Sequence, residues 1–191
     1  MARKLREWQP NTSYHVTARG NRKNNIFKNK QDFCEYLKLL AETLNHFKVE
    51  TPYELLSYCL MDNHVHLLIY TSSMPLGPFI KKLHGKYAIY FNKQYDYNGH
   101  LFQDRFYSTP AKTIAQLLAI SSYIHLNPVT ANMVTKPEDY PYSNYRFLIG
   151  SEKCGFVNSE KILAPFGNEH PYKTYKDFVE SMIGTVPASL E

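Results

Sequence analysis

Cysteine is scarce in this chain. Cys34, Cys59 and Cys154 are odd in number and widely spaced. They offer neither a disulfide framework nor a paired zinc motif, and so point to a reducing, cytoplasmic setting. No apolar run approaches the ~20 residues that a membrane span requires. The segment Met1 to Trp8 is basic with no apolar stretch behind it, so it does not read as a secretory signal. Internal repeats and low-complexity tracts are missing too, which excludes solenoids and disordered linkers. What remains is 191 residues, 43% hydrophobic and 20% charged, enough for one core with a C-terminal appendage.

Charge is unevenly placed. Residues 1–112 carry 16 Lys/Arg against 9 Asp/Glu, a net of +7, and residues 113–191 carry 6 against 8, a net of −2. Aromatic residues are plentiful, with 16 Tyr and 11 Phe. Cations interleaved with flat rings suit single-stranded nucleic acid, whose phosphates seek positive charge and whose unpaired bases seek stacking partners. A solvated basic surface has the same composition.

The apolar alternation of Ser13 to Ala18 predicts a first strand, and Arg19-Gly20-Asn21-Arg22 a turn whose arginines reach phosphate. Asn29 to Asp32 can cap a helix running to about Lys48, with Phe33, Tyr36, Leu37, Leu40 and Leu44 at helical spacing. Strands follow over Tyr53–Leu60 and His64–Tyr70, joined by a turn at Asp62-Asn63. Phe79–Tyr95 reads as a basic helix bearing Lys82 and Lys86, and His100–Ser108 as a short strand or extended loop. Thr113–Asn127 reads as a third helix, ended by Pro128. Short helices are expected at Ser143–Leu148, Ser159–Ala164 and Tyr172–Met182. The order predicts an α+β fold, a largely antiparallel sheet with helices packed on it in the split βαβ, ferredoxin-like arrangement, plus a C-terminal helical extension.

Two stretches carry chemistry. In Met61-Asp62-Asn63-His64-Val65-His66 the two histidines share one face of a strand, with Val65 on the other. An accessible face there would let two neutral imidazoles bind a divalent ion, although half-buried structural histidines look the same in sequence. Tyr123 and Asn127, one helical turn apart, add a phenol and a carboxamide. Together these are the parts of a phosphodiester nuclease with a tyrosine nucleophile. Mg or Mn held by His64, His66 and Asn127 would offset phosphate charge, and Tyr123 would attack phosphorus.

Four motifs then occur in order: Tyr14-His15-Val16-Thr17-Ala18-Arg19-Gly20-Asn21, Met61 to Leu68, Gly99-His100-Leu101-Phe102-Gln103-Asp104-Arg105-Phe106, and Tyr123-Ile124-His125-Leu126-Asn127-Pro128-Val129. From about Tyr14 to Tyr145 the chain resembles the REP-associated tyrosine transposases, within the superfamily of His-hydrophobic-His single-strand DNA transposases with one catalytic tyrosine. The resemblance implies a catalytic domain over residues 1–133, with a basic N-terminal arm, and an extension over 134–191 packed on it. It implies Tyr123 as nucleophile through a 5′-phosphotyrosine, with His64, His66 and Asn127 as metal ligands and single-stranded DNA with hairpin ends as substrate. The expected DNA contacts are Arg19, Arg22, Lys82, Lys86, Gln103 and Arg105. Thr130, Asn132 and Tyr142 depart from the family pattern, where a basic residue, glycine and tryptophan are usual. Two other readings stay open: a DNA-binding protein of the same fold whose catalysis has lapsed, and a metal-dependent nuclease using activated water. A homodimer also stays open.

Overall fold

The computed structural model describes residues 8–48 and 53–185; the N-terminal cations Arg3, Lys4 and Arg6 lie outside them. Strands β1 (Thr12–Arg19), β2 (Tyr53–Met61), β3 (His64–Thr71) and β4 (Tyr107–Ala111) form one antiparallel sheet in the order β2-β3-β1-β4. Helix α1 (Lys30–His46) connects β1 to β2, and α2 (Leu76–Tyr95) connects β3 to β4. Each connection skips one strand, which is the expected split βαβ, ferredoxin-like topology. The long α3 (Ile114–Thr130) and the short α4 (Tyr145–Leu148), α5 (Glu160–Leu163) and α6 (Pro171–Glu180) complete the chain.

Strand alternation divides the interior in two. Val16, Ala18, Val65, Leu67 and Ile69 point to one face and pack with Phe33, Tyr36 and Leu40 of α1 and Phe79, Leu83 and Tyr87 of α2. The other face receives α3 and the C-terminal segment, with Leu68, Cys59, Ile124, Leu126, Tyr145, Ile162 and Val179 in contact. A β-bulge at Leu56 changes the parity of β2. Leu55 joins the first core, whereas Leu56, Cys59 and Met61 join the second. The two helices of the first layer are tied by a buried carboxylate. Asp32 closes a capping box with Asn29 at the start of α1 and accepts hydrogen bonds from Tyr90 and Tyr95 of α2, at 2.9 and 2.7 Å.

The C-terminal segment closes the edge of β2. Leu60 N–H donates to Tyr142 O, Asn158 N–H to Leu55 O, and Tyr58 N–H to Asn144 Oδ1 at 2.6 Å. Tyr142 stacks on Phe33 with ring centroids 3.6 Å apart.

One expectation is narrowed and one is corrected. Of the short strand or extended loop expected over His100–Ser108, the loop holds as far as Phe106 and runs beside the end of β1, with a bridge between Phe102 and Gly20, and the fourth strand starts only at Tyr107. Helix α3 also continues through Pro128 to Thr130. Proline removes one N–H but its φ is already helical, and the last turn is fixed by a Schellman pair: Met133 N–H to Pro128 O and Asn132 N–H to Val129 O. Asn132 takes the left-handed position of that motif, φ 56°, where asparagine is second only to glycine.

Candidate active site

The histidines are set by register. The two-residue turn Asp62-Asn63 joins β2 to β3 and pairs Met61 with His64. Asp62 O accepts from the N–H groups of Ile26 and Phe27, and Asn63 O accepts from Gly20 N–H. Gly20 is required there, since a Cβ would lie 2.1 Å from Asn24 O. The turn is therefore clamped to the loop after β1, and Arg19 stands opposite His64.

Across the sheet, His66 pairs with Thr17, and His15 lies one step further along β1 on the same face. His15 Nε2 and His66 Nδ1 are 3.0 Å apart and hydrogen-bonded, with the rings stacked at 5.2 Å. His64 Nδ1 is bonded to Asn63 Oδ1 at 2.6 Å. Tyr123 of α3 places its ring edge-on to both His15 and His66, at centroid distances of 5.8 and 5.6 Å. No hydrogen bond to its hydroxyl is seen among the described residues. Asn127, one turn later, donates from Nδ2 to Tyr123 O at 2.8 Å, which leaves Oδ1 as its available atom.

Burial keeps these imidazoles neutral. It lowers His15 to about 4, and burial followed by the Arg19 charge lowers His64 to about 4. His66 is held well below its ordinary value by burial and then by His64, His15 and Arg19, against a small opposing effect of Asn127. That effect places the carboxamide near His66, yet no well-formed hydrogen bond reaches His66 Nε2, which is buried and without a partner. An orphaned imidazole nitrogen is costly unless something binds it. In the tautomer whose Nδ1–H donates to His15, the lone pair of Nε2 is left to receive a ligand. His64 Nε2, His66 Nε2 and Asn127 Oδ1 are the atoms that could hold a divalent ion, a mixed nitrogen and oxygen set of the kind that suits Mg or Mn. Among the described residues no group of three His, Cys, Asp or Glu forms a metal cluster, so such a site needs the carboxamide.

The expectation of an accessible face holds for His64, which is half-buried, but not for His66, which is 1% exposed under the Tyr123 ring. Arg19, Gln103 and Arg105 come together around an open cleft of about 350 Å³ beside His64. Arg22 is exposed on the adjoining loop, at φ 54°. That loop is tied to the turn by Asn63 Nδ2 donating to Lys23 O. Lys82 and Lys86 are elsewhere: α2 covers the opposite face of the sheet, and Lys86 pairs with Glu42 of α1 at 3.1 Å. His15 and Asn63 hold the two imidazoles, His15 through His66 Nδ1 and Asn63, besides its place in the turn, through His64 Nδ1. The alternation of β1 puts His15 opposite Tyr14 and Val16, but only the pairing with β3 shows what it touches.

A solved structure of a REP-associated tyrosine transposase bound to a REP hairpin aligns with TM-score 0.60 at 16% identity, covering 83% of this chain and 98% of that one. At that identity the likeness shows the fold. A candidate transposase from Deinococcus radiodurans R1 aligns at TM-score 0.45 and 17% identity, over 64% of this chain and 95% of that one. A comparison with curated proteins finds no match. The profile described as transposase, IS200-like, matches residues 9–127, from just before β1 to Asn127 on α3, and the chain belongs to that family.

Proposed function

We propose that this transposase cleaves and rejoins single-stranded DNA by transesterification through Tyr123, with a divalent metal at His64, His66 and Asn127. The observation that carries the reading is the partnerless Nε2 of His66, whose ring stands edge-on to both His64 and Tyr123. The phenolic oxygen forms a bond to phosphorus, the bond from phosphorus to the 3′ oxygen breaks, and the DNA keeps its 5′ phosphate on Tyr123. The phenol proton passes to water and the leaving 3′ oxygen takes one up. Because one ester replaces another, the step can run backwards and join a new 3′ end. Mg or Mn, when bound, offsets phosphate charge and polarises phosphorus. Asn63 and His15 hold the two ligand rings, and Arg19 and Arg105 draw the phosphate chain to the cleft.

The likeness to a hairpin-bound structure supports single strands with hairpin ends as substrate. Residues 1–133 would then be the catalytic unit and 134–191 the extension that braces it. The test uses labelled single-stranded DNA with Mn or Mg, then denaturation. Label retained on the protein, and lost in Tyr123→Phe, supports the reading. Free cleaved DNA from Tyr123→Phe would instead mean water as nucleophile, and no cleavage in any metal would mean a binding protein.

A further inference from the structure

We propose that Tyr107 is a stacking platform for an unpaired base of the DNA strand whose phosphate sits at His64 and His66. The inference rests on the function proposed above and adds a base-binding subsite to it. Tyr107 is 64% exposed, a large aromatic that no core packing explains. Register fixes where it stands: Thr17 of β1 pairs with Tyr107 on one side and with His66 on the other. Paired residues share a face, so Tyr107, Thr17 and His66 form one row across the sheet. At about 4.8 Å per strand, Tyr107 lies roughly 10 Å from His66, a span that one nucleotide bridges.

The cleft at this end of the row has the chemistry of a nucleotide. Arg105 offers a guanidinium group for phosphate, and Gln103 offers an amide that can both donate to and accept from a base edge. The volume of about 350 Å³ suits one base with its sugar. Stacking on Tyr107 requires a base with a free face, so the site takes single strands rather than duplex.

The test is binding in chelator, where no cleavage interferes, using a fluorescent oligothymidylate and the same backbone with every base removed. Tyr107→Ala should weaken the oligothymidylate about 5- to 150-fold, the usual worth of one stacked base. It should leave the abasic strand unchanged, while Tyr107→Phe and Tyr107→Trp bind the thymidylate within about threefold of wild type. The side chain is exposed, so the variants should fold; matched melting curves check this. Equal thymidylate binding by wild type and Tyr107→Ala overturns the inference, and so does an equal loss on the abasic strand. A covalent adduct at Tyr123 with no Tyr107 effect defeats the subsite alone. The Tyr107 effect without any adduct defeats the chemistry alone.

Discussion

Two regions of the layer between the sheet and α3 are built from similar parts and end differently. Around His125 both ring nitrogens are engaged. Ser57 Oγ bonds Ser121 Oγ, Ser121 Oγ bonds the Tyr175 hydroxyl, Tyr175 bonds His125 Nδ1, and His125 Nε2 bonds Asn144 Oδ1, at 2.7, 2.7, 2.9 and 3.0 Å. This closed chain joins β2, α3, α6 and the loop before α4. Around His66 the same residue type, equally buried, keeps one ring nitrogen without a partner. Burial lowers both histidines, so both are neutral near neutrality. The difference is therefore not protonation but satisfaction of the ring: both nitrogens of His125 have partners, whereas Nε2 of His66 has none.

Tyr123→Phe should sharpen the contrast most. The covalent adduct and strand transfer should fall below detection on a denaturing gel. The melting temperature should move by no more than about 2 °C, because the lost hydroxyl has no hydrogen bond to lose. An adduct in this variant would break the assignment of the open region.

His125→Ala should act on the closed region. It leaves a cavity and strips a partner from both Tyr175 and Asn144, at about 2–4 kcal/mol, or roughly 4–16 °C in a chain of this size. Adduct formed per folded molecule should stay near wild type. A melting temperature equal to wild type would show that the network braces nothing.

His15→Ala is expected to lower Mn affinity by about 10- to 100-fold, read by calorimetry or Mn electron spin resonance, since His66 loses the partner that orients it. His15→Gln can still hydrogen-bond His66 Nδ1 and should recover part of that loss. Unchanged Mn affinity in His15→Ala would leave His15 as packing only.

The smallest effect concerns pH and lies on the other face of the sheet. His84 bonds the Tyr36 hydroxyl at 3.0 Å, and burial lowers it to about 3. Between about pH 6.5 and 3 the unfolded chain binds a proton that the folded one refuses. The resulting stability is complete above 6.5 and is lost as pH falls, by up to about 1.4 kcal/mol per unit. His84→Gln should reduce the slope by about one proton's share in melting curves taken from pH 7.5 to 5, the remainder belonging to His15, His64, His66 and His125. A slope unchanged from wild type would assign it to other groups.

Three strands and three helices were legible because their periods are local. The Asn29–Asp32 cap, the turn at Asp62-Asn63 and the alternation of His64-Val65-His66 are each written within a few residues. The fourth strand is the least legible, an alternative to a loop over His100–Ser108, because Pro110 interrupts its alternation and its pairing with β1 is set some ninety residues away. Pro128 was read as a stop because its missing N–H is a local signal, while the Schellman pair that finishes the helix beyond it is not. Of the candidate site, Tyr123, His64, His66 and Asn127 were brought together, and Arg19, Gln103 and Arg105 beside them. Lys82 and Lys86 were not, because helix periodicity says which face is polar and not which side of a sheet the helix covers. His15 escaped notice for the complementary reason: its importance lies in a cross-strand register.

The edge closure of β2 also sets a schedule for synthesis. Tyr58 leaves the ribosome 86 residues before Asn144, the residue whose side chain caps its N–H. At about 5–20 residues per second, that edge stays bare for roughly 4–17 s in every newborn chain. Throughout that interval β2 is a template for any other strand it meets, and a chaperone that shields nascent β-edges would find its client here.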